Sequence, residues 1–154
     1  MRLKDKVAGV TGSARGLGWE MAHAFAQEGA RVIICDLSET AVEQAVARLG
    51  LSSDRVLGIR ADVSAEQGVL QMFQKITEKF GKLDVWVNNA GFSWPPKRQG
   101  LLEIVDTPLE DWITVLNTNL TGMFLCSREA LKLMDSSAIR VEVSKSMAPT
   151  TAVT

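Results

Sequence analysis

The sequence predicts a doubly wound parallel α/β sheet that is truncated after about the fourth or fifth strand. Short β-branched segments at residues 6–10, 31–35, 56–59 and 83–87 alternate with longer segments whose apolar residues recur every three or four positions. The short segments are typical of buried strands, and the longer ones of helices with one apolar face. Strands and helices that alternate along a chain form a parallel sheet covered on both faces, since each crossover is right-handed.

Each predicted helix has an apolar stripe or a boundary signal. In the first helix Leu17, Met21 and Phe25 recur every four residues, which predicts that they share one buried face. Ser64, followed three residues later by Gln67, has the spacing of a capping box and predicts the start of the third helix. In the second helix Val42, Ala45, Val46 and Leu49 share one face, and Gly50 ends it. These signals place one helix after each of the first three strands.

A long helical region is predicted at residues 108–134, with a break near Asn117. Thr107, Pro108 and Glu110 have the order of a cap, a first-turn proline and a capping-box acid. We expect its apolar face to be exposed or covered by a neighbouring chain, and the isolated chain to self-associate through this region.

Composition limits the possible partners. Seventeen basic residues against eighteen acidic ones give a net charge of −1, so no basic surface indicates nucleic acid or an anionic membrane. Cys35 and Cys126 stand apart in apolar segments without metal-ligand spacing, which favours buried thiols in the cytoplasm. No apolar run is long enough for a membrane span. A small-molecule partner is the remaining expectation.

The segment "TGSARGLG", residues 11–18, lies between the first predicted strand and the first helix. Its glycines, Gly12, Gly16 and Gly18, allow a tight turn that brings helix N–H groups to a dinucleotide pyrophosphate. A glycine-rich turn can also be a plain connector, so the spacing alone is weak. The other candidates for cofactor contact in this turn are Ser13, Arg15 and Leu17.

Asp36 strengthens the nucleotide interpretation. It ends the second predicted strand, eighteen residues after Gly18, where an acid accepts hydrogen bonds from an adenosine ribose. An acid at this position repels a 2′-phosphate, so NAD is predicted in preference to NADP. The alternative for Asp36 is a helix cap, and Arg15 is either solvated or a partner for an extra phosphate.

Four motifs now resemble the short-chain dehydrogenase/reductase family in order and spacing. They are "TGSARGLG", "ADV" at residues 61–63, "NNAG" at residues 88–91 and "NTNLTG" at residues 117–122, and together they cover residues 1–134. The resemblance implies a Rossmann-like fold, a nicotinamide cofactor, and hydride transfer to or from an alcohol or carbonyl substrate.

By the same resemblance, particular residues acquire roles. Asp62 and Val63 would flank the adenine, and Asn119 would kink the long helix and hold a water of the proton relay. The "NNAG" turn would hold the central sheet and border the cofactor, through Asn89, Ala90 and Gly91.

Residues 135–154 form a divergent tail. The family places a serine on its fifth strand, and the start of that strand at Arg140 would make Ser146 this serine. Its tyrosine, the general acid/base, and its lysine come later, but the 154 residues contain no tyrosine. The tail could also be a later strand after an internal deletion, or an end with no role.

Two functions therefore stay open for the single, incomplete dinucleotide-binding domain of residues 1–154. One is the cofactor-binding portion of an NAD-dependent oxidoreductase whose catalytic tyrosine and lysine lie outside this chain. The other is a fragment or isoform that binds NAD, or pairs with a relative, without catalysis. Because no phenol is present, the chain alone is expected to be inactive.

Overall fold

The computed structural model describes residues 1–93 and 104–134. Strands and helices alternate in its first part: β1 (Val7–Thr11), α1 (Gly16–Gln27), β2 (Arg31–Asp36), α2 (Glu39–Leu49), β3 (Val56–Arg60), α3 (Glu66–Phe80) and β4 (Val85–Val87). The second part holds a 3₁₀ turn (Ile104–Asp106), α4 (Leu109–Leu116), a π-helical segment (Asn117–Thr121) and α5 (Gly122–Leu133).

The four strands form one parallel sheet in the order β3-β2-β1-β4. β1 pairs with β2 on one side, where Thr11 lies opposite Cys35, and with β4 on the other, where Val10 lies opposite Val87. The chain thus moves outward from β1 to β3 and then crosses to the other side of β1. This reversal makes the sheet doubly wound and Rossmann-like, which confirms the predicted fold class.

Each face of the sheet has its own apolar core. Along β2, Val32 and Ile34 belong to one core while Ile33 and Cys35 belong to the other, as the alternation of side chains in a strand requires. α1 and α2 cover the first core with Trp19, Ala22, Val42 and Ala45. α3 and α5 cover the second with Val69, Met72, Phe73, Ile76, Leu125 and Cys126.

The thiols of both cysteines are buried in the second core. Burial raises the pKa of Cys126 to about 12. Burial also raises the pKa of Cys35, and the nearby Cys126 and Asp36 raise it further. Neither cysteine is in a disulfide. Within residues 1–93 and 104–134, no helix combines the length and apolar content needed to cross a membrane.

Three local predictions are wrong. Leu17 is 72% exposed, because it lies in the first turn of α1, and Trp19 and Ala22 are the buried apolar residues of this helix. α3 is capped at Ala65 and not at Ser64, whose hydroxyl donates to Asp62 instead. α4 begins one residue later than predicted, since Pro108 is its N-cap.

The long helical region does change geometry near Asn117, as predicted. The backbone forms a π-helical segment from Asn117 to Thr121, and the N–H of Gly122 donates to the carbonyl of Asn117. A row of apolar side chains on this region is exposed, and we call it the α4–α5 ridge: Leu109, Trp112, Ile113, Leu120, Phe124 and Leu131. Ser146 and the tail at residues 135–154 lie outside the described residues.

Candidate nucleotide-binding site

The residues singled out by sequence meet at one edge of the sheet. The turn at residues 11–18 follows β1, Asp36 ends β2, Asp62 follows β3 and the turn at residues 88–91 follows β4. Since all four strands are parallel, these positions share the carboxyl edge, beside the reversal between β1 and β4. Ligands of open α/β sheets bind at such an edge.

The glycine turn is shaped by two glycines. Gly12 has φ of +63°, a conformation that other residues rarely adopt, and a Cβ there would lie 3.0 Å from the Cα of Ala90. At Gly18 a Cβ would overlap the carbonyl oxygen of Gly12 and come within 2.6 Å of Nδ2 of Asn89. The start of α1 can therefore lie directly against the turns after β1 and β4.

The first turn of α1 is open toward solvent. Arg15 is the N-cap with an extended backbone and makes no side-chain cap bond, and Arg15, Gly16 and Leu17 are all exposed. A Cβ at Gly16 would meet nothing within 4 Å. The N–H groups of this turn are thus uncapped by a side chain, at the positive end of a helix, where an anion is favoured.

Ser13 has a structural role that the sequence did not indicate. Its side chain is completely buried, its hydroxyl donates to the carbonyl of Val10 at 2.7 Å, and it accepts the N–H of Cys35 at 3.0 Å. Its backbone N–H donates to the carbonyl of Cys35. Ser13 therefore joins the glycine turn to the end of β2.

The carboxylate of Asp36 is held by two backbone N–H groups. Leu37 donates to Oδ1 at 2.8 Å and Ala14 donates to Oδ2 at 3.2 Å, so Asp36 also fastens β2 to the glycine turn. The helix-cap interpretation of Asp36 is wrong, because Ser38 caps α2 by accepting the N–H of Ala41. Each oxygen of Asp36 keeps a second lone pair that a ligand hydroxyl can use.

Thr11 connects the turns after β1 and β4. Its hydroxyl accepts the N–H groups of Asn89 and Ala90 at 3.0 and 2.9 Å. Nδ2 of Asn89 donates back to the carbonyls of Thr11 and Gly12, at 3.0 and 3.1 Å. Four hydrogen bonds thus fix the "NNAG" turn against the glycine turn.

The turn after β3 lies beside the start of α3 and α5. Asp62 is exposed, and its Oδ1 accepts the N–H and the hydroxyl of Ser64 at 2.9 and 2.6 Å. Val63 is buried, and its carbonyl oxygen would lie 2.9 Å from a Cβ at Gly122. Glycine at 122 therefore lets α5 approach this turn.

Asn119 joins the π-helical segment to the chain after β4. Its Nδ2 donates to the carbonyl of Phe92 at 2.8 Å, and its Oδ1 accepts the N–H of Phe92 at 3.1 Å. A Cβ at Gly91 would lie 2.9 Å from the same oxygen. Asn117, by contrast, is exposed, and His23 lies away from the edge, stacked on Trp19 with ring centroids 5.7 Å apart.

Three hydrogen bonds at or beside this edge were missed by sequence reasoning. Nδ2 of Asn88 donates to Oγ of Ser127 on α5 at 2.8 Å, and Nε1 of Trp86 donates to Oδ1 of Asn88 at 3.0 Å. Arg60 lies opposite Asp36 in the β2–β3 pairing, and its Nε donates to the carbonyl of Leu37 at 3.3 Å. The partners of the Asn88–Ser127 and Arg60–Leu37 bonds lie 39 and 23 residues apart along the chain, so no local spacing indicates these two contacts.

A narrow gap with about 150 Å³ of empty space separates the end of β4 from the π-helical segment and α5. The lining residues are Thr11, Val63, Asn88, Ala90, Thr118, Gly122, Met123 and Cys126. Since Thr11, Asn88 and Ala90 line it, this gap lies at the same carboxyl edge as the glycine turn.

Comparison with known proteins agrees with this arrangement. A family model described as short chain dehydrogenase matches residues 6–148. The secoisolariciresinol dehydrogenase of Forsythia intermedia is 36% identical over 133 residues, which are 86% of this chain and 46% of that protein.

Two crystal structures from Brucella melitensis share the fold. A short-chain dehydrogenase/reductase described as a glucose/ribitol dehydrogenase has a TM-score of 0.80 at 25% identity, covering 90% of this chain and 55% of that one. A 3-ketoacyl-(acyl-carrier-protein) reductase complexed with NADH has a TM-score of 0.72 at 33% identity, covering 85% of this chain and 51% of that one. The chain thus spans about half the length of these three proteins.

Proposed function

Because the chain belongs to the short-chain dehydrogenase/reductase family, we propose that it is the nucleotide-binding part of an oxidoreductase that uses a nicotinamide cofactor. The substrate would be an alcohol or a carbonyl compound, with the hydride carried by the nicotinamide. The observation that supports this most is the meeting of the glycine turn, Asp36 and Asn89 at the carboxyl edge. The NADH-complexed relative points to the same class of cofactor.

The residues present fit such a cofactor. The first turn of α1, from Arg15 to Gly18, would hold the pyrophosphate, because its N–H groups have no side-chain cap and three of its four residues are exposed. Asp36 would accept the adenosine ribose hydroxyls, and Asp62 and Val63 would border the adenine. Asn89, Ala90 and Gly91 would border the nicotinamide side, in a turn that packs directly against Gly12 and Gly18. Ser13 would act only by fixing the turn.

NAD is the proposed cofactor, in preference to NADP. The carboxylate of Asp36 is pinned by the N–H groups of Leu37 and Ala14, so it cannot swing away from an added 2′-phosphate. Arg60 lies opposite Asp36 in the β2–β3 pairing and supplies a cation there, and Arg15 follows Ala14, whose N–H is bonded to Asp36. We therefore expect that neutralising Asp36 would let the site accept NADPH.

Catalysis by these 154 residues alone is not proposed. The side-chain amide of Asn119 is hydrogen-bonded to the backbone of Phe92 and would shape the site through that contact. Ser146 is proposed as a catalytic residue by family resemblance only. The acid/base tyrosine of the family has no counterpart here, because the chain contains no tyrosine. A chain that binds NAD without turnover, or that pairs with another chain, is the second candidate function.

A second copy of the chain is the proposed macromolecular partner. The α4–α5 ridge exposes Trp112, Leu120 and Phe124 at 53%, 62% and 60%, and exposed apolar rows of this kind are typical of interaction surfaces. We keep the cytoplasm as the proposed location, since both cysteines are free thiols.

Titration with NADH tests the proposal. We expect saturable binding to the parent chain, followed by nicotinamide fluorescence, and weakened binding by Asp36→Ala. Because Asp36 also holds Ala14, Asp36→Asn is a gentler partner variant, and it should gain affinity for NADPH relative to NADH. Glu43→Ala, an exposed acid on α2, is the matched control and should bind like the parent. Absence of NADH binding by the folded parent chain would contradict the proposal.

A further inference from the structure

The side chain of Asn88 is oriented by two residues that lie outside the turn at residues 88–91. Its amide oxygen accepts the indole N–H of Trp86 at 3.0 Å, and its NH₂ group donates to the hydroxyl of Ser127 at 2.8 Å. The indole is packed against Phe73 of α3, with ring centroids 4.8 Å apart. A donor on one side and an acceptor on the other leave the amide of Asn88 one favourable orientation.

The Asn88–Ser127 contact gives the turn after β4 a second attachment to one helical stretch. The first is Asn119, whose amide makes two hydrogen bonds with the backbone of Phe92. Ser127 lies about 12 Å further along the same stretch, at 1.5 Å per residue. One attachment would let the turn pivot on the helix, whereas two attachments fix both its position and its angle.

The position of the turn at residues 88–91 affects the glycine turn at the carboxyl edge of the sheet. Directly after Asn88, the N–H groups of Asn89 and Ala90 both donate to the hydroxyl of Thr11. Nδ2 of Asn89 reaches the carbonyl of Gly12 and lies where a Cβ at Gly18 would collide with it. A shift at Asn88 therefore disturbs the bonds that hold the glycine turn and the start of α1 together.

We propose that Ser127 is a positioning residue of the nucleotide site, and that it acts through Asn88 on the turn at residues 88–91. The effect on the turn rests on the contacts above, while the effect on nucleotide affinity also rests on the proposed cofactor binding. Ser127 is half-buried on α5 and contacts Asn88. Its proposed effect on the nucleotide is therefore indirect.

Hydrogen exchange and NADH titration of the full chain test this with Ser127→Ala and the conservative variant Ser127→Thr. In Ser127→Ala, we expect exchange at the N–H groups of Asn89 and Ala90 to become roughly five-fold faster, as for the loss of one hydrogen bond. NADH affinity should fall by a similar factor, and Ser127→Thr should restore both values.

Thr77→Val is the matched control, because the hydroxyl of Thr77 bonds only within its own helix, to Phe73. It should change neither value. Unchanged exchange at Asn89 and Ala90 in Ser127→Ala, or equal acceleration in Thr77→Val, would overturn the positioning role. If the parent chain failed to bind NADH, the proposed function would fall, while the exchange measurement would still decide the role of Ser127.

Discussion

At Gly18, one added methyl group would strongly disturb the packing of the glycine turn. A Cβ in Gly18→Ala would overlap the carbonyl oxygen of Gly12 and press on the amide of Asn89. We expect unfolding stability to fall by about 1–3 kcal/mol, as for overpacking, and NADH affinity to fall roughly ten-fold. Urea unfolding and NADH titration measure the two effects.

Gly50→Ala is the control for this substitution. Gly50 ends α2 with φ of +63° and has nothing within 4 Å of a Cβ, so alanine there introduces backbone strain without a clash at the site. Its stability should fall by about 1 kcal/mol, with NADH affinity unchanged. An affinity for NADH in Gly18→Ala equal to that of Gly50→Ala would show that the close approach at Gly18 is unimportant.

At the residue scale, sequence reasoning succeeds where a residue type and a strand end coincide. Asp36 and Asn89 stand at such ends, and the structure places both at the carboxyl edge. For Ser13 the sequence predicts cofactor contact and gives no sign that its hydroxyl joins Val10 to Cys35, a partner that only the parallel β1–β2 pairing brings near. Leu17 fits the apolar spacing, yet the first turn of α1 lies at the sheet edge and leaves it exposed.

Among the elements, the β1–β4 pair has an ionic lock at its amino end. Asp84 accepts the ammonium of Lys6 at 2.8 Å, the N–H of Val7 at 2.9 Å and the ammonium of Lys82 at 3.0 Å. Partial burial alone raises the pKa of Asp84, but the hydrogen bonds from Lys6, Val7 and Lys82 outweigh it, so this pKa lies below its usual range.

This lowered pKa predicts a pH dependence of stability. The stabilisation is complete above the pKa of an unfolded aspartate, about 3.9, and it is lost as the pH falls through the lower folded value. Asp84→Asn should therefore cost about 1 kcal/mol at pH 7, a small figure because both lysines are half exposed.

Urea unfolding of parent and Asp84→Asn at pH 7 and near pH 2 measures this difference. The gap between the two proteins should close in acid. A gap of the same size at both values would show that the carboxylate charge contributes nothing, and that the substitution acts through packing alone.

Element order was more predictable than element boundaries. Apolar periodicity located the four strands and the helices α1 to α3, because burial on both faces of a parallel sheet imposes it. Capping signals were less informative: Ser64 uses its hydroxyl on Asp62, so α3 begins after Ala65. Such local side-chain bonds compete with caps, and the sequence does not show which one wins.

On the scale of the whole molecule, the α4–α5 ridge predicts self-association. Trp112→Lys and Leu120→Lys place charges on it, and we expect both to move the chain toward monomer in light scattering without loss of helical circular dichroism. Leu70→Lys on α3 is the control, since Leu70 is also partly exposed but lies off the ridge. A parent chain that is cleanly monomeric at high concentration would contradict the prediction.

We propose that one edge of the sheet, shaped by two glycines and held by Asp36 and Asn89, binds a nicotinamide dinucleotide. Amide NMR of the ¹⁵N-labelled chain, recorded with and without NADH, tests this most directly. We predict saturable shifts at Gly12, Gly16, Gly18, Leu37 and Ala90, with few changes on α3. Shifts that are absent, or that cluster away from the carboxyl edge, would contradict it.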